Sequence, residues 1–380
     1  MKVNKWTLGL AAVGLVTLPS LVQAEEKASS VMTALSSTTI SGYVDTSAQW
    51  NPGTGNANPP GISYNNGKQD GFNLNVVKLT IEKPLDEGQW AAGYKADLLF
   101  GPDANEYATT SSGTSSSDFA IKQAYVQLRA PVGNGLDFKM GVFDTIVGYE
   151  SIDSVNNPNY TRSYGHTIEP TTHTGLLATY QFHEGISASA GVANTTGPTI
   201  NQRANPPRAE SSKTYMGSIA LTAPKDWGWM AGSVLYAGIV SGYSSTPNVS
   251  GNLVNYYAGL TANTPVKEIK TGLAFDYAGS ADAYAWTIAG YGSWQLGEKW
   301  SLHGRGEYEA NSGGIWSGLP SKGFAATATL QYDLWKNVLS RLEFRWDHSA
   351  TGADAYGGTV AGTPTLKNAY MLAANIVYKF

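Results

Sequence analysis

For most of its length the chain alternates between hydrophobic and polar residues with a period of two. Between Trp300 and Asn311 one set reads Trp300, Leu302, Gly304, Gly306, Tyr308, Ala310, and the other Ser301, His303, Arg305, Glu307, Glu309, Asn311. Successive side chains of a strand point to opposite faces, so this segment has one apolar and one polar face. The same holds near Trp90 and after Val338. Each pattern lasts about ten residues, the length a tilted strand needs to cross a bilayer. The pattern predicts sixteen strands, at about 40–50, 71–83, 88–100, 118–131, 135–147, 172–183, 185–195, 213–223, 226–241, 251–263, 266–278, 282–296, 298–311, 322–332, 336–348 and 366–380. Between residues 185 and 296 the periodicity also admits a count of fourteen or eighteen overall.

The connections have a rhythm of their own. Tight turns at Pro84 to Glu87, Val132 to Asn134, Pro224-Lys225, Thr264-Pro265, Gly297 and Asp333 to Trp335 alternate with long Gly/Ser/Asn/Pro-rich stretches, broken only by the brief Gly279 to Ala281. An up-and-down barrel with short turns at one end and long loops at the other produces this alternation, whereas a soluble sandwich does not. The expected fold is therefore all-β, a single transmembrane antiparallel barrel. Its polar face is mostly Ser, Thr, Asn, Gln and Gly, its apolar face carries the aromatics, and Trp50, Trp90, Phe100, Trp227, Trp300, Trp346 and Tyr378 fall near strand ends, where interfacial girdles form.

Composition narrows the environment. Only 14% of the residues are charged, against roughly 25% in a soluble domain, yet at 42% hydrophobic the chain is no helical membrane protein. With 11 Trp and 22 Tyr it has ample apolar surface to bury, which excludes disorder. The absence of Cys excludes disulfide scaffolds and thiol chemistry. A formal charge of −4 speaks against nucleic acid as a partner. Lys2 and Lys5 followed by the apolar run Leu8 to Leu18, Pro19 and Val22-Gln23-Ala24 form a secretory signal, with cleavage expected after Ala24. Residues 25–39 read as a short linker and 40–380 as the barrel. At the other end Tyr370, Leu372, Ala374, Ile376, Tyr378 and Phe380 alternate to the last residue. That stripe resembles the C-terminal assembly signal of bacterial outer-membrane barrels and places the chain in that membrane.

Several stretches resemble the OmpL-like outer-membrane β-barrel porin family: Ile40 to Thr46, Leu79 to Leu85, Gln123 to Val126, Gly141 to Glu150, Asn159 to Ser163 and Thr172 to Gly175. The resemblance implies passive passage of small hydrophilic solutes or ions and supplies no catalytic residue. It is also compatible with a homo-trimer, with outer-membrane lipid and the barrel-assembly machinery as partners.

Sixteen strands enclose a lumen wide enough for water, so selectivity comes from its narrowest point. The longest connection, Gly148 to Thr171, follows the fifth strand, where general porins fold a loop inward. It carries Glu150, Asp153, Arg162, His166 and Glu169, with an exposed surface loop as the alternative. Parity turns Arg129, Lys139, His303, Arg305, Arg341 and Arg345 toward the lumen. There they either face the acidic loop across the pore or pair with Glu307, Glu343 and Asp347 along the wall. Tyr125, Phe143 and Tyr236 share the inward parity and could form an aromatic track in a substrate-selective channel for sugars or other small organics. A structural or adhesive barrel is the other alternative. No nucleophile–base or paired-acid motif and no metal-spaced His pair is found, so neither enzyme activity, metal nor cofactor is expected. His166 and His173 read as solvated loop residues.

Overall fold

The computed structural model describes residues 31–32, 37–53, 55–64, 68–107, 109, 118–204, 211–243, 251–312 and 318–380. The expected signal segment and Ala24 lie outside them. Sixteen long strands follow: β1 Thr39–Trp50, β2 Gly71–Lys83, β3 Ala91–Phe100, β4 Phe119–Ala130, β5 Leu136–Asp144, β6 Thr172–His183, β7 Ile186–Ala193, β8 Thr214–Thr222, β9 Val234–Tyr243, β10 Asn252–Asn263, β11 Ile269–Gly279, β12 Tyr284–Gln295, β13 Trp300–Asn311, β14 Lys322–Trp335, β15 Val338–Ser349 and β16 Asn368–Lys379. Each pairs antiparallel with its sequence neighbour, and β16 pairs with β1 from Leu372↔Trp50 to Lys379↔Tyr43, closing the barrel. Closure leaves no edge strand of the barrel unpaired. Val31–Met32 adds a two-residue ladder on the start of β1.

The wall is inside out relative to a soluble protein. Phe72 (95% exposed), Trp90 (77%), Met140 (69%) and Trp50 (65%) point outward, while Asp45, Asp97, Arg305, Glu343 and Arg345 are buried within. This is the orientation that the alternation predicts. The seam closes on the terminal aromatic: Phe380 and Gly42 exchange backbone hydrogen bonds of 3.0 and 2.9 Å. The Phe380 ring lies where any Cβ at Gly42 would sit, 2.7 Å from its Cζ, so the last residue fits only against a glycine.

Of the boundaries that differ from the sequence reading, three have a clear local cause. Strand β5 stops at Asp144 rather than 147, because Thr145 N–H donates to Thr171 O (2.9 Å) and starts the long loop there. The segment read as a strand from 226 begins only at Val234. Gly228 at φ +60° and Gly232 at φ +80° break extension, and Gly228–Met230 coils as a 3₁₀ turn. Strand β14 continues through a bulge at Asp333/Trp335, so the turn falls on Lys336-Asn337, with Asn337 left-handed at φ +64°.

Candidate functional site: a loop clamped across the lumen

The loop 145–171 enters the barrel. Its first turn is apolar and packs on a wall of small and aromatic residues. Ile146, Val147 and Tyr149 join Phe143, Leu177, Met216, Tyr236, Val240, Tyr257, Ala274 and Tyr291 in one buried cluster. Tyr149 stacks on Tyr291 with centroids 4.0 Å apart, and the Tyr236 hydroxyl donates to Ile146 O at 2.5 Å. The inward Tyr125, Phe143 and Tyr236 therefore serve as packing for the loop and do not form an open aromatic track.

Beyond Tyr149 the contacts become ionic. Arg305 on β13 reaches Glu150 (2.7 Å), Glu307 (2.9 Å) and the carbonyls of Thr161 and Arg162 (2.9 and 3.1 Å). Arg345 on β15 holds Asp347 and the Arg162 carbonyl at 2.7 and 2.8 Å. Arg341 takes the carbonyls of Ser154, Asn157 and Asn159 with one nitrogen, at 3.0–3.2 Å. Glu343 accepts from the backbone N–H groups of Tyr160 (2.5 Å) and Thr161 (2.9 Å). Asp153 meets Lys78 (2.8 Å) on β2 and Lys122 (3.5 Å) on β4, further round the same side of the barrel. The short helix α1, Tyr164–Ile168, is capped by Ser163, whose hydroxyl accepts from His166 N–H, and Tyr164 bridges to Glu307 and Asp347. Arg305 and Arg345 each bind a wall carboxylate and a loop group together, and Arg341 binds Asn375 on the wall as well as its loop carbonyls.

Burial and charge set the loop's ionisation. Burial opposes ionisation of Glu150, but Arg305 and its neighbours outweigh it and hold the carboxyl below the usual range. Lys122 and Lys78 overcome burial in the same way at Asp153 and hold it far below that range. Burial, then Arg162, pushes His166 down to about 4, so its ring is neutral at pH 7. His166 and His173 are both buried, not solvated as the sequence suggested, since α1 and the neck of the loop pack against the wall.

Every barrel strand contributes at least one buried side chain. Arg129, Lys139 and His303 lie elsewhere, nearer the short-turn end. Arg129 forks onto Asp137 (2.6 and 2.7 Å), Lys139 sits 5.0 Å above the Tyr125 ring, and His303 bonds Ser293 and Ser301. A cavity of about 350 Å³ opens beside Arg129, lined also by Gln127, Asp137, Thr179 and Gln181 among others.

Sequence reasoning missed Lys122, Asn75, Lys78 and Asp45. Lys122 is the extra residue where β4 opposes two residues of β3, and Asn75 is its counterpart in β2 against β1. A bulge re-aims a side chain against the local parity, so alternation alone assigns Lys122 to the wrong face. Lys78 and Asp45 did carry the inward parity, and each could have been found by asking which buried charge needs a partner.

Residues 37–380 match the family described as "Putative beta-barrel porin-2, OmpL-like". The chain belongs to that family. It is an outer-membrane porin, and its sixteen-stranded closed wall is the porin fold. None of the curated proteins matches it in sequence. Among solved structures it resembles the outer-membrane channel DcaP of Acinetobacter baumannii at 11% identity and a TM-score of 0.57, covering 90% of this chain and 97% of that one. It also resembles OmpT of Vibrio cholerae, described in trimer form, and an anion-selective porin from Comamonas acidovorans. For each of these the identity is 12%, the TM-score 0.58 and the coverage 90% and 99%. At such identities the likeness is one of fold. The family and the fold are those of a channel.

Proposed function

We propose that this porin passes small hydrophilic solutes or ions passively, and that loop 145–171 forms its constriction. On this reading Glu150, Asp153, Arg162, His166 and Glu169 belong to the narrowing loop. Arg305, Arg341 and Arg345 hold that loop, and Arg129, Lys139 and His303 line the vestibule below it. The carrying observation is the multivalent attachment of the loop to inward side chains of β2, β13 and β15. The narrowest point of a water-filled barrel decides what passes, and here it is built from one segment. No step of catalysis is assigned, and among the described residues no cluster of three or more His, Asp or Glu could hold a metal. The remaining parts of the reading are a cleaved signal ending at Ala24, a lipid-facing outer wall, assembly directed by Tyr378 and Phe380, and a trimer. Planar bilayer recording of the purified protein tests it. Discrete ohmic steps are expected, in groups of three if the trimer holds. A folded protein that never conducts would sink the porin reading, and single steps of one size would sink only the trimer.

A further inference from the structure

The wall formed by β2–β5 carries its inward cations in ion pairs, with one exception. Lys78 meets Asp97 and Asp153 at 3.3 and 2.8 Å, Lys95 meets Glu82 at 3.2 Å, Lys122 meets Asp144 at 2.7 Å, and Arg129 forks onto Asp137. The exception is Lys139 on β5. Its chain neighbour Met140 points outward at 69% exposed, so the alternation of the strand turns Lys139 into the lumen. There it is half-buried, and among the described residues no carboxylate pairs with it. Its ammonium sits instead 5.0 Å above the Tyr125 ring. Phe143, four residues further along β5, already belongs to the apolar seat of the loop. Lys139 therefore lies directly on the short-turn side of the constriction.

A second donor stands opposite. Gln127 on β4 is the residue paired with Lys139 across the ladder, and side chains so placed start about 4.5–5.5 Å apart. The Gln127 amide has no hydrogen-bond partner among the described residues, and its other neighbour, Gly93 on β3, adds no side chain. The N–H groups of an ammonium and of an amide thus share one patch of lumen wall without an acceptor from the protein. Gln127 also lines the cavity of about 350 Å³ beside Arg129, together with the apolar Pro84, Leu85 and Pro131.

Resting on the porin reading above, we propose that Lys139 and Gln127 form a binding site for the carboxylate of a small organic monoanion. A carboxylate presents two acceptor oxygens, one to each donor group, and a charge-assisted bond to the ammonium is the stronger of the two. The cavity then takes the organic remainder against its proline and leucine side chains. One free ammonium balances one negative charge. A dianion finds no second cation here, because the Arg129 guanidinium is committed to Asp137, and that carboxylate repels it. The site is thus a waypoint that raises the local concentration of organic monoanions where they meet the loop.

The test is a ligand-observed NMR titration of the detergent-solubilised full mature porin with benzoate, using benzamide as the neutral isostere and sulfate as a competing dianion, alongside planar bilayer recording. Benzoate should bind saturably, and benzamide about tenfold or more weakly. Lys139→Gln should lose benzoate affinity by a similar factor, Lys139→Arg should restore most of it, and Gln127→Ala should lose a smaller part. In bilayers benzoate should reduce the chloride current of the wild type and leave that of Lys139→Gln unaffected. Heat-modified electrophoretic mobility confirms that each variant forms a barrel, and the comparison of benzoate with benzamide on the wild type stands whether or not one variant folds. Equal binding of benzoate and benzamide would overturn the site, as would a folded Lys139→Gln porin that binds benzoate like the wild type. Displacement by sulfate at concentrations below those of benzoate would overturn the carboxylate in favour of an inorganic anion. A protein that binds benzoate through Lys139 yet never conducts would overturn the porin reading and leave the site standing. A conducting protein whose benzoate binding ignores Lys139 would do the reverse.

Discussion

The two walls that receive loop 145–171 hold it by different physics. On β13–β15 and β1, β2 and β4, the contacts are directional: guanidinium and ammonium groups bind carboxylates and backbone carbonyls at 2.7–3.5 Å. On β6–β12 they are mainly shape: Ile146, Val147 and Tyr149 pack on a surface of Ala, Val, Leu, Met and Tyr side chains. A buried ion pair adds little over a well-packed apolar isostere but is costly to break from one side. An apolar seat loses little when one contact goes, but it is intolerant of added volume. The loop is thus fixed in position by one wall and fitted by the other.

The largest effect should come from breaking the ionic wall at its centre. Arg305→Ala leaves Glu150 and Glu307 buried without their shared guanidinium, a loss of about 3–5 kcal/mol in loop seating. The barrel should still form, as judged by heat-modified mobility, while limited proteolysis should cut within 145–171 and single-channel conductance should increase. A loop that stays protected in this variant would show that the ionic side is not the anchor.

A smaller effect is expected from added volume on the apolar wall. A Cβ at Gly272 would fall 1.8 Å from the Tyr149 hydroxyl, so Gly272→Ala must displace the ring stacked on Tyr291, at about 1–3 kcal/mol. Gly304→Ala, outward-facing with its nearest neighbour 3.9 Å away, is the matched control. If both variants show the same protease sensitivity in the loop, the apolar wall does not discriminate by shape. The smallest change should be Tyr236→Phe, which removes only the donor to the Ile146 carbonyl and costs about 1 kcal/mol. Hydrogen exchange at residues 145–149 should quicken modestly; no change would mean that packing alone secures that turn.

Much of this arrangement was legible beforehand, and the failures have a common cause. Strand number, the inward parity of Arg305, Arg341 and Arg345, and the special length of the loop after the fifth strand all follow from local periodicity. The role of Lys122 did not, because the bulge that turns it inward exists only through the pairing of β3 with β4. Glu150 was visible as a loop acid, but its partner Arg305 lies 155 positions further along and shares no motif with it. The histidines were misread because a loop outside a barrel and a loop inside one have the same polar composition.

Alternation with a period of two determined by itself which face of each regular strand points outward, since away from bulges a side chain's direction depends only on its neighbours in the chain. The sequence likewise carried the alternation of short and long connections and the aromatic last residue. Closure of β16 on β1, the turning of one loop inward and the sorting of its residues between an ionic and an apolar wall were decided only in the folded barrel. The physical reason is that a charge or a cavity acquires its energy from what lies opposite, and in this molecule the opposite groups come from strands far apart in the chain.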